Sequence, residues 1–246
     1  MNLDAKFFFD LERRLKDAGL DSDSETFDVI KERLSRKEPL SADEFARQAI
    51  YVILAGGFSQ KTAKKIHAKV MDYLSKLETR NSKLELVQND LLNIFNNKNK
   101  IGAIIKIWHN KRQYRDEYYR QPNLESRISN LEKLPHIGKI TANHLARNLG
   151  EDVVKYDIWI QRLGVAFAVQ KQGKGNPPSP RLRGKSREEG IYNDLKSKID
   201  NGNLDPDVKA ACDEMFAHLV RVTGLPRGYI DVVLWKGAQN HMIKGI

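Results

Sequence analysis

The chain has 246 residues, 40% hydrophobic and 30% charged, with 42 Lys and Arg against 32 Asp and Glu and a formal net charge of +10. No apolar run reaches the roughly 18 residues that a membrane span needs, and the opening MNLDAKFFFDLERRL, with acids on both sides of its Phe run, has neither signal-peptide nor transit-peptide character. A single cysteine, Cys212, excludes an intramolecular disulfide, a four-cysteine zinc site and an iron–sulfur cluster; an intracellular setting (cytoplasmic, nucleoid-associated) is expected, and the basic balance favours a polyanionic partner, nucleic acid first.

The expected fold class is all-α. Residues 6–18 form a helix with Phe7, Phe8 and Leu11 on its apolar side. SDSE places Ser22 and Glu25 at capping-box spacing, and SADE repeats the signal with Ser41 and Glu44. Phe45, Ala49, Val52 and Ile53 then follow at helical spacing, and Gly56 and Gly57 end that helix. SQKTAKKIHAKVMDYLSKL has Ala63, Ile66, Val70 and Leu74 as its buried stripe. Residues 83–95 and 101–119 read as further helices. VVKY, at 153–156, has strand character but is too short for a sheet. Residues 171–190, KQGKGNPPSPRLRGKSREEG, have Leu182 as their one core former and read as a long basic surface loop, either a spacer or a DNA contact. Residues 205–219 and 228–243 close the chain as two helices.

The most informative stretch is LEKLPHIGKITANHLARNLG, 131–150. Pro135 stops the preceding helix and Gly138 permits a tight backbone. A second helix follows with Ala142, Leu145, Ala146 and Leu149 inward and Gly150 as its stop. Such a turn presents N–H groups at a helix N-terminus, a ready anion site, with Lys139 beside it. Helix 139–149 is about 16 Å long, and the six residues after Gly150 span about 20 Å if extended. The chain can therefore return beside the helix and bring Asp157 back near the hairpin. An acid close to a polyanion needs a purpose. Capping the helix IWIQRL is one, and chemistry at a sugar is another.

LPHIGKITANHLARNLG followed by VVKYDIWIQRL resembles the helix-hairpin-helix DNA glycosylases. The resemblance rests on L-P-x-[IV]-G-x-x-T-A-N, with Asp157 sixteen residues after Thr141 and Arg162 five beyond it. It is best over roughly residues 100–165; FARQAIYVILAGGFSQKTAKKI, IWHNKRQYRDEYY and GYIDVVLWKGAQN are similar to the family more weakly. It implies two helical lobes, 1–40 with 155–246 and 41–154, the latter carrying the hairpin, with the active-site cleft between them. It implies a monomer on double-stranded DNA, with the target nucleotide flipped out of the stack. Pro135, His136, Ile137, Gly138, Lys139 and Thr141 would hold the phosphate, with a monovalent cation at 134–138 as an option. Gln60, Lys111 and Arg112 would add DNA contacts. Trp108, Asn110, Tyr114 and Phe58 would wall the base pocket, whereas Trp159 and Trp235 are assigned to the core. Ionised Asp157 would stabilise positive charge on the sugar and orient water.

Two departures refine this. Relatives that also cut the strand carry a lysine two residues after the hairpin's second glycine, where this chain has Ile140. Lys139 lies about 100° away around the helix. A monofunctional glycosylase without cofactor is therefore expected. The alternatives are a glycosylase/lyase using Lys139 or Lys155, and a non-catalytic helix-hairpin-helix binder. Lys155 points the same way as Asp157 if the segment is extended. For the residue that fills the gap left by a flipped base, the resemblance offers Phe58 and Gln60 as candidates.

Overall fold

The computed structural model describes residues 3–22, 25–35, 38–77, 84–173, 193–200 and 203–244. These residues are helical and contain no strand longer than an isolated bridge. The chain divides into two compact units, Asp23–Val153 and Met1–Ser22 with Val154–Ile246. The first boundary thus falls after Ser22 rather than after residue 40.

The central unit holds α2 (Phe27–Ser35), α3 (Ala42–Ala55), α4 (Gln60–Leu77), α5 (Leu84–Ile94), α6 (Lys98–His109), α7 (Lys111–Tyr119), α8 (Leu124–Leu131) and α9 (Lys139–Asn148). Helix α3 begins with the expected capping box, Ser41 with Glu44. From Phe45 to Leu54 it is buried almost without interruption, as befits a helix apolar all round. Helices α4, α6, α7 and α9 pack around it. The expected stripe of α4 is buried at Ala63, Val70 and Leu74, with Ile66 partly so. The helix expected over 101–119 is broken at Asn110, whose side chain donates to the Lys106 carbonyl at 2.8 Å and ends α6.

Helix α2 joins this unit because of Arg33. Its guanidinium is paired with Glu25 and donates to the Asn148 carbonyl at 3.0 Å, tying α2 to the end of α9. Glu25 is therefore engaged in an ion pair rather than in a capping box with Ser22, and Thr26 accepts the Val29 N–H instead. Gly150 has a φ of 103° and a Cβ there would lie 3.2 Å from the Arg33 carbonyl, so conformation and space both require glycine.

The terminal unit holds α1 (Ala5–Asp17), α10 (Ile158–Gly173), α11 (Pro206–Thr223) and α12 (Arg227–Gln239). Helix α1 buries Phe8, Leu11 and Leu15, while Phe7 is only half-buried. Helices α10 and α11 pack backbone to backbone: a Cβ on Gly164 would meet Cys212 Sγ at 2.5 Å and its Cα at 2.8 Å. The Cys212 thiol is buried and donates to the Ile160 carbonyl at 3.5 Å. Helix α10 continues through Gly173, so residues 171–173 are helical rather than loop. Residues 174–190 of the expected basic loop lie outside the described residues.

Candidate active site

The hairpin lies in the central unit. Helix α8 ends at Leu131, four residues short of Pro135, which sits in the turn itself and does not stop the helix. The turn closes with the Ile137 N–H donating to the Leu134 carbonyl at 3.1 Å. Between them lie Pro135 and His136, whose φ of 64° is that of the third residue of a type II turn, a place glycine favours. Leu131, Leu134 and Ile137 are buried beneath it with Ala142, Leu145, Ala146 and Leu149.

Gly138 then adopts φ −104° and ψ −179°, a conformation open to any residue, and an added Cβ would meet nothing closer than Thr141 Oγ1 at 4.0 Å. The fold does not need a glycine there; its lack of a side chain leaves the main chain bare toward solvent. The Gly138 N–H donates to Thr141 Oγ1 at 2.7 Å, and the Thr141 hydroxyl donates to the Gly138 carbonyl at 2.9 Å. The N–H groups of Ile137 and Gly138 are therefore engaged inside the hairpin. Those of Lys139, Ile140 and Thr141, in the first turn of α9, have no intrahelical acceptor. His136, Gly138 and Lys139 are exposed, and Ile140 is half-buried. Residues 134–138 carry no carboxylate, and the Leu134 and Gly138 carbonyls already accept hydrogen bonds inside the hairpin.

The aromatic residues on α6 and α7 are strongly tied. Trp108 and Tyr114 pack partly buried against the core. The Lys111 ammonium lies 3.7 Å from the centroid of the Trp108 ring and 2.7 Å from Asp43. That leaves Arg112, which is exposed, as the outward cation of the pair expected to meet DNA. Asn110 uses its amide on the end of α6. Phe58 stands 43% exposed in the turn before α4, edge-on to Phe95. The side chain of Gln60 lies outside the described residues.

Asp157 belongs to the terminal unit and is only 6% exposed. Its Oδ1 caps α10, accepting the N–H groups of Trp159 at 3.1 Å and Ile160 at 3.3 Å. Its Oδ2 lies 3.2 Å from the Lys155 ammonium, and the main chain between them is turned rather than extended, with the Asp157 N–H donating to the Lys155 carbonyl at 2.7 Å. The segment is pinned residue by residue. The Lys155 N–H donates to Asp231 at 3.2 Å, the Tyr156 hydroxyl donates to Asp213, and buried Gln161 donates to the Tyr156 carbonyl at 3.0 Å. Burial, then the Asp213 carboxylate, holds the Tyr156 phenol well above its usual pKa, so it stays a donor. The Asp157 carboxylate is thus fixed at one oxygen by the main chain and presented at the other beside a cation. It can stabilise a developing positive charge or accept a proton.

Two solved structures match this chain over nearly its whole length. The 8-oxoguanine DNA glycosylase of Thermotoga maritima has a TM-score of 0.54 and 14% identity, covering 98% of this chain and 97% of that one. The 8-oxoguanine glycosylase/lyase of Methanocaldococcus jannaschii, in complex with a DNA 15mer containing 8-oxoguanine, has a TM-score of 0.52 and 16% identity, covering 97% and 100%. The fold is that of these DNA glycosylases. No family model and no curated protein sequence matches the chain. Among the described residues, no helix is long and apolar enough to cross a membrane.

Within this glycosylase fold, the surroundings of Asp157 contain groups that the sequence pattern missed. Trp235 and Trp159 are half-buried rather than core. Two ammonium groups approach the Trp235 ring, Lys155 at 5.4 Å and Lys236 at 5.8 Å from its centroid. Trp159 carries the Arg162 guanidinium at 5.1 Å and meets His241 edge-on. Asp231 is fully buried and holds the Lys155 main chain. The signal for these was the spacing of Asp231, Trp235 and Lys236 along one helix, but nothing local tied α12 to residues 155–157.

Proposed function

We propose that this chain is a monofunctional DNA glycosylase, which hydrolyses the N-glycosidic bond of a flipped nucleotide in double-stranded DNA without a cofactor. The observation that carries the reading is the buried Asp157 carboxylate, capped on one oxygen and presented on the other. The hairpin's first-turn N–H groups, Lys139 and the bare Gly138 backbone hold a phosphate. Cleavage of the glycosidic bond leaves positive charge on the sugar, which the Asp157 carboxylate stabilises while water attacks. The half-exposed apolar Ile140 supplies no amine for covalent attack. The names of the two similar structures support 8-oxoguanine as the first lesion to test. The reading is tested with duplexes each carrying one altered base, namely 8-oxoguanine, uracil, an alkylated purine or a mismatched thymine. One base should be released, leaving a strand that breaks only on treatment with alkali. Tight binding without release from any duplex would favour a non-catalytic binder.

The ion pair of Lys155 with Asp157 favours one second reading, a glycosylase/lyase in which Lys155, its proton passed to a base, attacks the sugar carbon as the nucleobase leaves. Borohydride with abasic DNA separates the two. An adduct that forms with the wild type and disappears in Lys155→Gln would replace the monofunctional reading, whereas its absence from the wild type supports that reading.

A further inference from the structure

The N-terminal half of α4 carries cations for which the fold has no internal use. Lys61, Lys64, Lys65 and Lys69 are all exposed, and among the described residues none of them has an ion-pair partner. The opposite face, with Ala63, His67 and Val70, is buried. The first acid along the helix is Asp72, which pairs with Lys76 at 2.7 Å. No acid lies in the first turn, so the lysines oppose the helix dipole as well as one another. A charge pattern that works against its own helix calls for a partner.

The basic surface continues across the turn that precedes α4. Lys98 and Lys100 open α6, again with no acid in the first turn. The Lys100 ammonium donates to the Gly56 carbonyl and lies 5.2 Å from the centroid of the exposed Phe58 ring. Neither residues 56–71 nor residues 95–115 contain an Asp or Glu. An exposed aromatic ring with a cation over it thus lies beside an acid-free, lysine-rich stretch, a combination suited to a nucleic-acid backbone. An anionic membrane fits less well, because the apolar face of α4 is already buried in the core.

We infer that Lys61, Lys65 and Lys69 form a duplex-tracking row, a second DNA surface beyond the hairpin, which follows one sugar–phosphate strand without reading bases. The three recur every fourth residue, so they align over about 12 Å of helix, the rise of about three to four nucleotides of one strand. The inference takes its partner from the glycosylase reading. Its test uses the full chain, an unmodified duplex and a salt titration. Each phosphate contact contributes about 0.9 to the slope of log affinity against log salt, so the K61Q/K65Q/K69Q variant should lose about 2.7 from that slope. The all-arginine variant should keep it. A slope in the glutamine variant equal to that of the wild type would overturn the row. So would loss of binding to acidic lipid vesicles with duplex binding unchanged. Base release by the wild-type chain from the lesion duplexes reads the glycosylase proposal separately. Release with an unaltered slope removes the row alone, whereas no release and no duplex binding removes both.

Discussion

Around the hairpin, main-chain groups stand open beside the exposed Lys139; around Asp157, the groups that matter are all side chains. In the hairpin, Gly138 carries no side chain, and the first-turn N–H groups of α9 stand without intrahelical acceptors beside Lys139. Near the acid, a carboxylate, an ammonium and an indole converge from residues 155, 157 and 235. The hairpin is also held by neighbours close in sequence, such as Thr141 on Gly138 and Ile137 on Leu134. The acid segment is held by Asp213 and Asp231, which lie far along the chain. A main-chain site should tolerate side-chain changes that leave its approach open. A side-chain site should not tolerate even an isosteric change.

The contrast is sharpest at Asp157. Asp157→Asn keeps the shape and the capping oxygen but removes the charge. Base release should fall by about a thousandfold or more, corresponding to about 4 kcal/mol of lost stabilisation, while duplex affinity is retained. Single-turnover kinetics beside a binding titration check this, and release within tenfold of wild type would remove Asp157 from the mechanism.

A second measurement probes the support of α9. His67 is buried, and burial, with the Arg47 charge adding to it, lowers its pKa from 6.5 to about 4. Its ring meets Tyr51 edge-on, and Tyr51 in turn meets His144 on α9. The unfolded chain therefore binds this proton before the folded one does. Stability from this group is complete above pH 6.5 and declines as pH falls toward 4, by about 3 kcal/mol. Urea unfolding at several pH values should show that decline in the wild type and a shallower one in His67→Gln. Equal pH dependence in both would refute the assignment.

Smaller effects are expected within the hairpin. Gly138→Val meets no clash near its Cβ, so the melting temperature should hold. Affinity for all duplexes should drop about tenfold, because a side chain now blocks the phosphate. A sequence-dependent loss would mean that the hairpin reads bases. The smallest change is His136→Gly. Relieving a left-handed histidine should stabilise the chain by up to about 1 kcal/mol, offset in part by the added freedom of glycine when unfolded, read as a rise in melting temperature. A fall would show that the imidazole makes a contact worth more than the strain.

The same division explains what could be read from residues alone. Helix α3, its Ser41–Glu44 cap and the inward stripe of α9 were legible because period and capping are local. The break at Asn110 was not, since a polar residue between two good helical patterns gives only a weak stop. Nor was the start of α2: Ser22 and Glu25 have the right spacing, but Arg33 claims the carboxylate. Asp157 followed from motif spacing, whereas its pairing with Lys155 arises in a turn and not in the extended segment that alternation assumes. Asp231 and Trp235 could not follow, because their approach depends on how α12 packs, which no short pattern encodes. Trp159 and Trp235 show the limit of composition: large aromatic residues were assigned to the core, yet cations line their faces instead.

The close crossing of α10 and α11 has a practical outcome. It seals the chain's one cysteine, Cys212, where burial and then the neighbouring carboxylates Asp213 and Asp231 push the thiol up to about 12. Almost none of it is thiolate at neutral pH, so it resists alkylation and oxidation alike. The native chain is thus a silent background for thiol chemistry. A cysteine introduced at an exposed position, such as 65 on α4, would be the one group to react, and a thiol-tethered oligonucleotide could then report which strand of a duplex passes that point.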